Sequence, residues 1–247
     1  MLCKRLITVL TFSDGVLFRT KKFRPDYRYT LKFVDSWSVD EIVVLDVTRD
    51  PADDRRVFKT VVGEFARRCF VPLAAGGGIR TLEDVHAYLD IGADKVVLNT
   101  GALRDETLIT KAANAFGTQC VVISIDCAQT RDGYEVRSDF GGRPTGRSPL
   151  DWARRAEDLG AGEIMLNSIE RDGSLLGYEL DLCRQIAEAV NIPVLICGGA
   201  GNWKHFEDGF KIGKADAVCT TNIYHFTETS IQSAKSYLAA AGVRVRP

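Results

Sequence analysis

The segment Leu73-Ala74-Ala75-Gly76-Gly77-Gly78-Ile79-Arg80 returns in altered form as Leu195-Ile196-Cys197-Gly198-Gly199-Ala200-Gly201-Asn202, 122 residues later. The same offset relates 40–45 to 162–167 and 93–100 to 215–222. Self-similarity at a fixed period dictates architecture before any single motif does, and a period of about half the chain is too long for a solenoid unit. It describes one domain, 1–247, built twice over, with half-barrels of about 1–120 and 121–247.

Apolar runs bounded by turns lie at 5–11, 41–46, 70–75, 94–98, 119–126, 162–167, 193–197 and 215–219, where strands buried on both faces belong. Amphipathic stretches at 54–68, 81–91, 105–116, 150–159 and 179–190 alternate with them, most of them opened by a capping residue. Eight such alternations, closed by a terminal helix near 229–241, predict a single α/β domain of the (β/α)8 TIM-barrel type. An open doubly wound sheet fits the duplication and the count of eight less well. Two long loops follow strands at the end where barrel chemistry is done. One spans 12–30 and is rich in Arg and Lys; the other spans 127–148, where Gly133 and Gly141-Gly142 point to a small hairpin.

Composition narrows the partners. Lys and Arg number 32 against 33 Asp and Glu, so no one-signed field marks a nucleic-acid or membrane-surface role, and an anionic ligand must be held locally. The seven cysteines show neither C-x-x-C nor zinc spacing and read as reduced, mostly buried residues of a cytoplasmic protein. No metal and no cofactor is implied. The N-terminal apolar run, about six residues long, ends at Asp14-Gly15 and reads as a strand, not a signal peptide or membrane span.

Side chains at the C-terminal strand ends face a barrel's substrate. Glycine turns at Gly77-Gly78 and Gly198-Gly199 would present backbone N–H groups beside helix starts, as barrels do to cradle phosphate. Each pairs with a polar strand end, Asn99-Thr100 in one half and Thr221-Asn222 in the other; Asp172-Gly173 lies near the second. The register between halves therefore predicts two phosphate sites on opposite sides of the mouth and a small molecule phosphorylated at both ends. Asp126 closes an apolar run, where a carboxylate is costly unless it serves as acid or base. Its counterpart in the first half is Thr11, whose hydroxyl cannot do that work near neutral pH. Cys127 has no His placed to activate it as a nucleophile.

At the opposite end, Arg5, Glu41, Lys95 and Glu163 open four strands on the parity of inward residues such as Asn99. Inward charges must be paired, so two cations and two anions there predict a network closing an axial passage.

Taken with Lys4-Arg5, Asp14-Gly15, Leu45-Asp46-Val47-Thr48, Gly76-Gly77-Gly78-Ile79, Gly92-Ala93-Asp94-Lys95, Ile125-Asp126, Gly160-Ala161-Gly162-Glu163, Arg171-Asp172-Gly173, Gly198-Gly199-Ala200-Gly201 and His225-Phe226, the chain resembles the cyclase subunit of imidazole glycerol phosphate synthase over essentially its whole length. The resemblance implies a heterodimer with a glutaminase that releases ammonia into the barrel bottom, past a salt-bridged gate at Arg5, Glu41, Lys95 and Glu163. It also implies a bisphosphorylated ribulosyl aminoimidazole carboxamide substrate at the mouth, turned over by two aspartates. One maps onto Asp126; the other maps onto Thr11.

That departure matters, because losing a general acid/base costs about 10²–10⁴ in rate. Arg19 followed by Thr20, Asn202 in place of a lysine, and Thr220-Thr221-Asn222 in place of small residues alter the same end. The chain is similar to the branch of the family associated with amidation of surface-polysaccharide sugars, which implies ammonia delivered to a separate sugar amidotransferase. Two functions thus stand: an ammonia-conducting subunit that no longer cyclises, and a working cyclase-lyase of histidine biosynthesis.

Overall fold

The computed structural model describes residues 3–28, 39–49, 55–220 and 231–246, with the side chains of Arg19 and residues 25–28 outside that description. The chain begins with β1 (Arg5–Ser13), β2 (Val16–Lys21), β3 (Arg24–Arg28) and β4 (Glu41–Asp46), followed by α1 (Arg56–Arg68) and β5 (Leu73–Gly76). It continues through α2 (Leu82–Asp90), β6 (Lys95–Leu98), α3 (Thr100–Arg104), α4 (Thr107–Phe116), β7 (Val121–Thr130), β8 (Gly133–Ser138) and β9 (Arg143–Pro144). The last elements are α5 (Pro149–Asp158), β10 (Glu163–Ser168), α6 (Leu180–Ala187), β11 (Val194–Cys197), α7 (Trp203–Lys211), β12 (Ala217–Thr220) and α8 (Ile231–Ala240).

Eight of these strands pair in parallel in the cyclic order β1-β4-β5-β6-β7-β10-β11-β12, and β12 returns to β1 with Arg5 opposite Ala217. The barrel is closed, as the eight apolar runs predict. Closure fixes parity, so alternate residues of every strand point inward. Ile7, Val9, Val43, Val97, Val122, Met165 and Leu195 form an inner apolar cluster. The other parity, with the helices, builds a larger outer core in which Phe12 meets Phe58 at 5.9 Å and Phe65 at 6.1 Å.

The structure differs from the expectation at 12–30, where a loop was predicted. Asp14 and Gly15 both have positive φ (50° and 72°) and turn β1 into β2; Lys22 and Phe23 repeat the device (51° and 61°) into β3. Asp-Gly is the residue pair that a tight hairpin turn demands. The expected hairpin in 127–148 is present, as β7 runs past the mouth and folds back through β8. Thr81 opens α2 with a capping box and Ser148 and Asn202 cap α5 and α7, whereas α1, α4 and α6 start without a side-chain cap. Two helices, α3 and α7, lie outside the stretches singled out from the sequence.

The duplication survives in how neighbouring strands are tied at the bottom. Asp94 accepts from the backbone N–H of Leu73 (2.8 Å), and Asp216, 122 residues on, accepts from that of Val194 (3.2 Å). Asp40 does the same for Leu6 (2.8 Å), while its other oxygen pairs with Lys235 of the terminal helix at 3.0 Å. Asp40 and Lys235 are both buried, so removing one leaves the other as an uncompensated charge. Asp40→Ala should lower the unfolding free energy in urea by about 3–5 kcal/mol, against about 1–3 kcal/mol for Asp94→Ala, which removes a hydrogen-bond acceptor alone. Adding Lys235→Met to Asp40→Ala should restore part of the loss; an equal cost for both single variants would show that the Lys235 pair is not buried in practice.

Candidate active site

The four charges of the barrel bottom meet in one ring. Arg5 Nη1 lies 2.8 Å from Glu41 Oε2 and 2.8 Å from Glu163 Oε1, and Lys95 Nζ lies 2.9 Å from Glu41 Oε1 and 2.8 Å from Glu163 Oε2. Each cation touches both anions and each anion both cations. Burial pushes the Glu41 carboxyl above the usual range, with Lys95 and Arg5 pulling back. Burial pulls the Arg5 guanidinium down, but Glu163 and Glu41 outweigh it and leave its pKa raised. Above the ring, toward the mouth, lies the inner apolar cluster.

The mouth holds a cavity of ≈180 Å³ whose lining includes Thr11, Asp46, Arg55, Asn99, Asp126 and Asn167. Asp126 accepts a hydrogen bond from Ser124 Oγ at 2.8 Å, and Asn167 stands beside it in register on β10. Burial pushes its carboxyl up to about 7, aided by the nearby Asp172 charge and opposed by the neighbouring Ser124 and Asn167 side chains. A carboxyl held there is suited to give or take a proton near neutral pH. Thr11 lies in the same cavity and donates its only hydroxyl proton to the Phe18 carbonyl of β2 at 2.5 Å. It therefore closes the β1–β2 hairpin and has no proton left to supply. Cys127 is fully buried, and burial raises its thiol, which is the opposite of what a nucleophile needs.

Both glycine turns form, with φ of 110° and 72° at Gly77 and Gly78 and of 88° and 107° at Gly198 and Gly199. Their surroundings differ. At the first, Arg55 lies against Gly78, where an added Cβ would stand 2.0 Å from its Nε, and its guanidinium pairs with Asp46. Asp46 also accepts from Thr48 N at 2.9 Å. Asn99, Thr100, Arg49 and Arg80 share the cavity, so this side presents guanidinium groups to an anion. Arg55 escaped the sequence reading because its reach depends on a left-handed backbone (φ 62°) at the start of α1.

At the second turn the cavity is only ≈30 Å³, lined by Gly173, Gly198, Gly199 and Thr220 among others. The chain fills its own donors there. Gly201 N–H donates to His205 Nδ1 at 3.1 Å, and His205 N–H donates to the Asn202 cap at 3.0 Å. Burial lowers the His205 pKa, which keeps the ring neutral and able to accept. Asp172, expected beside this phosphate, is engaged by the hairpin: its Oδ1 accepts from Thr20 Oγ1 and its Oδ2 from Phe23 N–H, each at 3.0 Å. Thr221 and Asn222 lie outside the described residues, as do His225 and Phe226. Among the described residues no cluster of His, Cys, Asp and Glu is placed to hold a metal ion, and no helix is long and apolar enough to cross a membrane.

Two outcomes follow from this geometry. In crystals soaked with sulfate, the anion should occupy the side of Gly78, Asn99 and Thr100 and be weak or missing beside Gly198-Gly199; His205→Ala, which releases the Gly201 amide, should raise the second occupancy. Equal occupancy in the unaltered protein would show that self-capping does not compete with an anion. The second outcome concerns Asp126, whose native pKa of about 7 lies above the unfolded value of 3.8. The folded state binds the extra proton, so the stabilisation is complete below the unfolded pKa and is lost as pH rises through the folded one. Asp126→Asn should therefore stabilise the fold more at about pH 8.5 than at about pH 5.5, by roughly 1–2 kcal/mol once the carboxyl's contact with the open mouth is discounted. A pH-independent difference in urea midpoints would place the carboxyl's pKa near its ordinary value.

A family model described as histidine biosynthesis protein matches residues 8–230. The match runs from within β1 to beyond β12, across both half-barrels, and the chain belongs to the histidine biosynthesis protein family.

Proposed function

We propose that this chain is the barrel subunit of a glutamine-dependent ammonia-transfer complex: a glutaminase docks on the N-terminal face, ammonia crosses the four-charge ring and the apolar sleeve, and the mouth passes it on without closing an imidazole ring. The observation that carries this reading is the ring, whose four members are each paired twice and lie below the inner apolar cluster. A neutral molecule the size of ammonia is what such a sleeve admits, since ions pay heavily for desolvation there. The loss of cyclisation is supported by Thr11, which spends its hydroxyl proton on Phe18. The recipient, by resemblance, is a separate amidotransferase acting on a surface-polysaccharide sugar.

One observation favours the second reading, a working cyclase-lyase of the bisphosphorylated substrate. Asp126 sits at about 7 inside the cavity and retains the acid/base capacity that one of the two aspartates would need.

The test pairs the chain with its glutaminase. A one-to-one complex and stimulated glutamine hydrolysis are expected; neither at micromolar concentration would remove the channel reading. Lys95→Ala should uncouple delivered ammonia from glutamine consumed, because it leaves two carboxylates short of a partner. With saturating ammonium and no glutaminase, the unaltered chain should give only trace product from the bisphosphorylated substrate. Thr11→Asp should raise it by up to about 10²–10⁴, and Asp126→Asn should abolish that gain. Turnover by the unaltered chain on the order of 1 s⁻¹ or more would establish the cyclase instead.

A further inference from the structure

Two thiols meet on the inner wall of the barrel where the apolar cluster gives way to the mouth. Cys197 ends β11 and Cys219 lies in β12, each two residues beyond the register pair Leu195 and Ala217. The two cysteines therefore stand side by side on the inward parity. Cys219 belongs to the inner cluster and is fully buried, and Cys197 packs against that cluster. Both line the cavity of ≈30 Å³ beside Gly198-Gly199, and Cys197 also lines the larger one of ≈180 Å³. Both are free thiols. The Cys197 side chain and burial push the Cys219 thiol above its ordinary range.

Strand packing does not demand this pair. Cys219 and Val97 each follow a strand-tying aspartate, Asp216 or Asp94, by three residues, and Cys197 and Gly76 each precede a helix cap, Asn202 or Thr81, by five. Gly76 and Val97 are register partners, so the first half makes the same contact without sulfur. Neighbouring strands lie about 4.8 Å apart, within the Cα separation of about 4.4–6.8 Å that a disulfide spans. An apolar wall penalises the thiolates that a soft metal ion would require, but it accepts a neutral disulfide.

We infer that Cys197 and Cys219 form an oxidation-sensitive site, which closes to a disulfide by reducing a small peroxide that enters the mouth. Cys197, which lines the larger cavity, reacts first. Its sulfur bonds to one peroxide oxygen, the O–O bond breaks, and the other oxygen leaves as water with the thiol proton. The Cys219 sulfur then displaces the oxygen from Cys197, forming S–S and breaking S–O, and its own proton leaves in a second water. Two thiols are oxidised and one peroxide is reduced to two waters. Closure ties β11 to β12 just before the Gly198-Gly199 turn. The site goes beyond the proposed function and needs neither a glutaminase nor an ammonia acceptor.

The test treats the isolated folded chain with hydrogen peroxide, blocks the remaining thiols with iodoacetamide in urea and reads the tryptic peptides by mass spectrometry. A cross-linked pair of the peptides holding Cys197 and Cys219 is expected, lighter by two hydrogen atoms than the thiol peptides together. Thiol labelling at the two positions should fall in step and return with dithiothreitol. Cys219→Ala removes the resolving thiol, so Cys197 should accumulate as a sulfenic acid captured by dimedone. Cys197→Ala should leave Cys219 a thiol under the same treatment. The cross-link in the unaltered protein decides the pairing even if a variant does not fold. Cys3 is exposed and reports that the oxidant was active. Oxidation of Cys3 without the cross-link, a cross-link formed only in urea, or conversion of Cys197 to sulfinic acid while Cys219 stays a thiol would each overturn the site.

Discussion

Everything above the barrel bottom depends on four inward charges cancelling one another. A lone carboxylate or ammonium on that parity would cost several kcal/mol to desolvate, and the strands could not close over it. Alternating signs around the ring solve this, with each group bonded to two opposites and no net charge passed upward. The apolar sleeve can then consist of ordinary aliphatic side chains. The arrangement is also unequal in a useful way. Glu41 is almost sealed at 2% exposure, whereas Arg5 and Lys95 keep 18% and 15%, so the cations are the members with solvent to move into.

The mouth is governed by a different economy of hydrogen bonds, in which the chain competes with any ligand for its own donors. His205 and Asn202 occupy the amides of the α7 start, and Asp172 is taken up by the β2–β3 hairpin. Asp84 likewise accepts from the amides of Arg80 and Thr81 at the start of α2. Helix starts that would otherwise attract phosphate are therefore partly neutralised from within. What remains on the first side is a guanidinium cluster around a larger cavity, and that asymmetry is absent from the glycine pattern, which is nearly the same in both halves.

The barrel was legible because closure and parity are periodic properties: eight apolar runs and a 122-residue echo determine where Arg5, Glu41, Lys95 and Glu163 must point. Features that depend on a single backbone angle or on long-range satisfaction were not. The Asp14-Gly15 pair is a hairpin signal, yet the basic residues that follow it hide the short strands Val16–Lys21 and Arg24–Arg28 within what reads as a polar loop. Arg55 enters the mouth only because its φ is positive. Ser124 lies on the parity of Asp126 and could have been found by counting back two residues. The unpartnered oxygen of Asn167 has no sequence signature, since it depends on which groups the closed barrel brings beside the strand end.

The two halves have diverged unevenly, and energetics explains which end was free to change. Asp94 and Asp216 each satisfy a backbone N–H of the neighbouring strand, so either change would leave a donor without its partner and weaken the closure itself. At position 11 no backbone N–H of a neighbouring barrel strand depends on the side chain, which donates to the Phe18 carbonyl instead. A carboxylate there would share a small cavity with Asp126, whose pKa is already lifted by burial and by Asp172, and a third negative charge would lift it further. A threonine removes that repulsion and adds a hydrogen bond to Phe18 that pins the hairpin. The fold gains from the same substitution that takes away an acid, as expected where strain is tolerated only in return for catalysis. Nothing in the barrel's own energetics favours a carboxylate at position 11, whereas the bottom ring must stay paired for the strands to close.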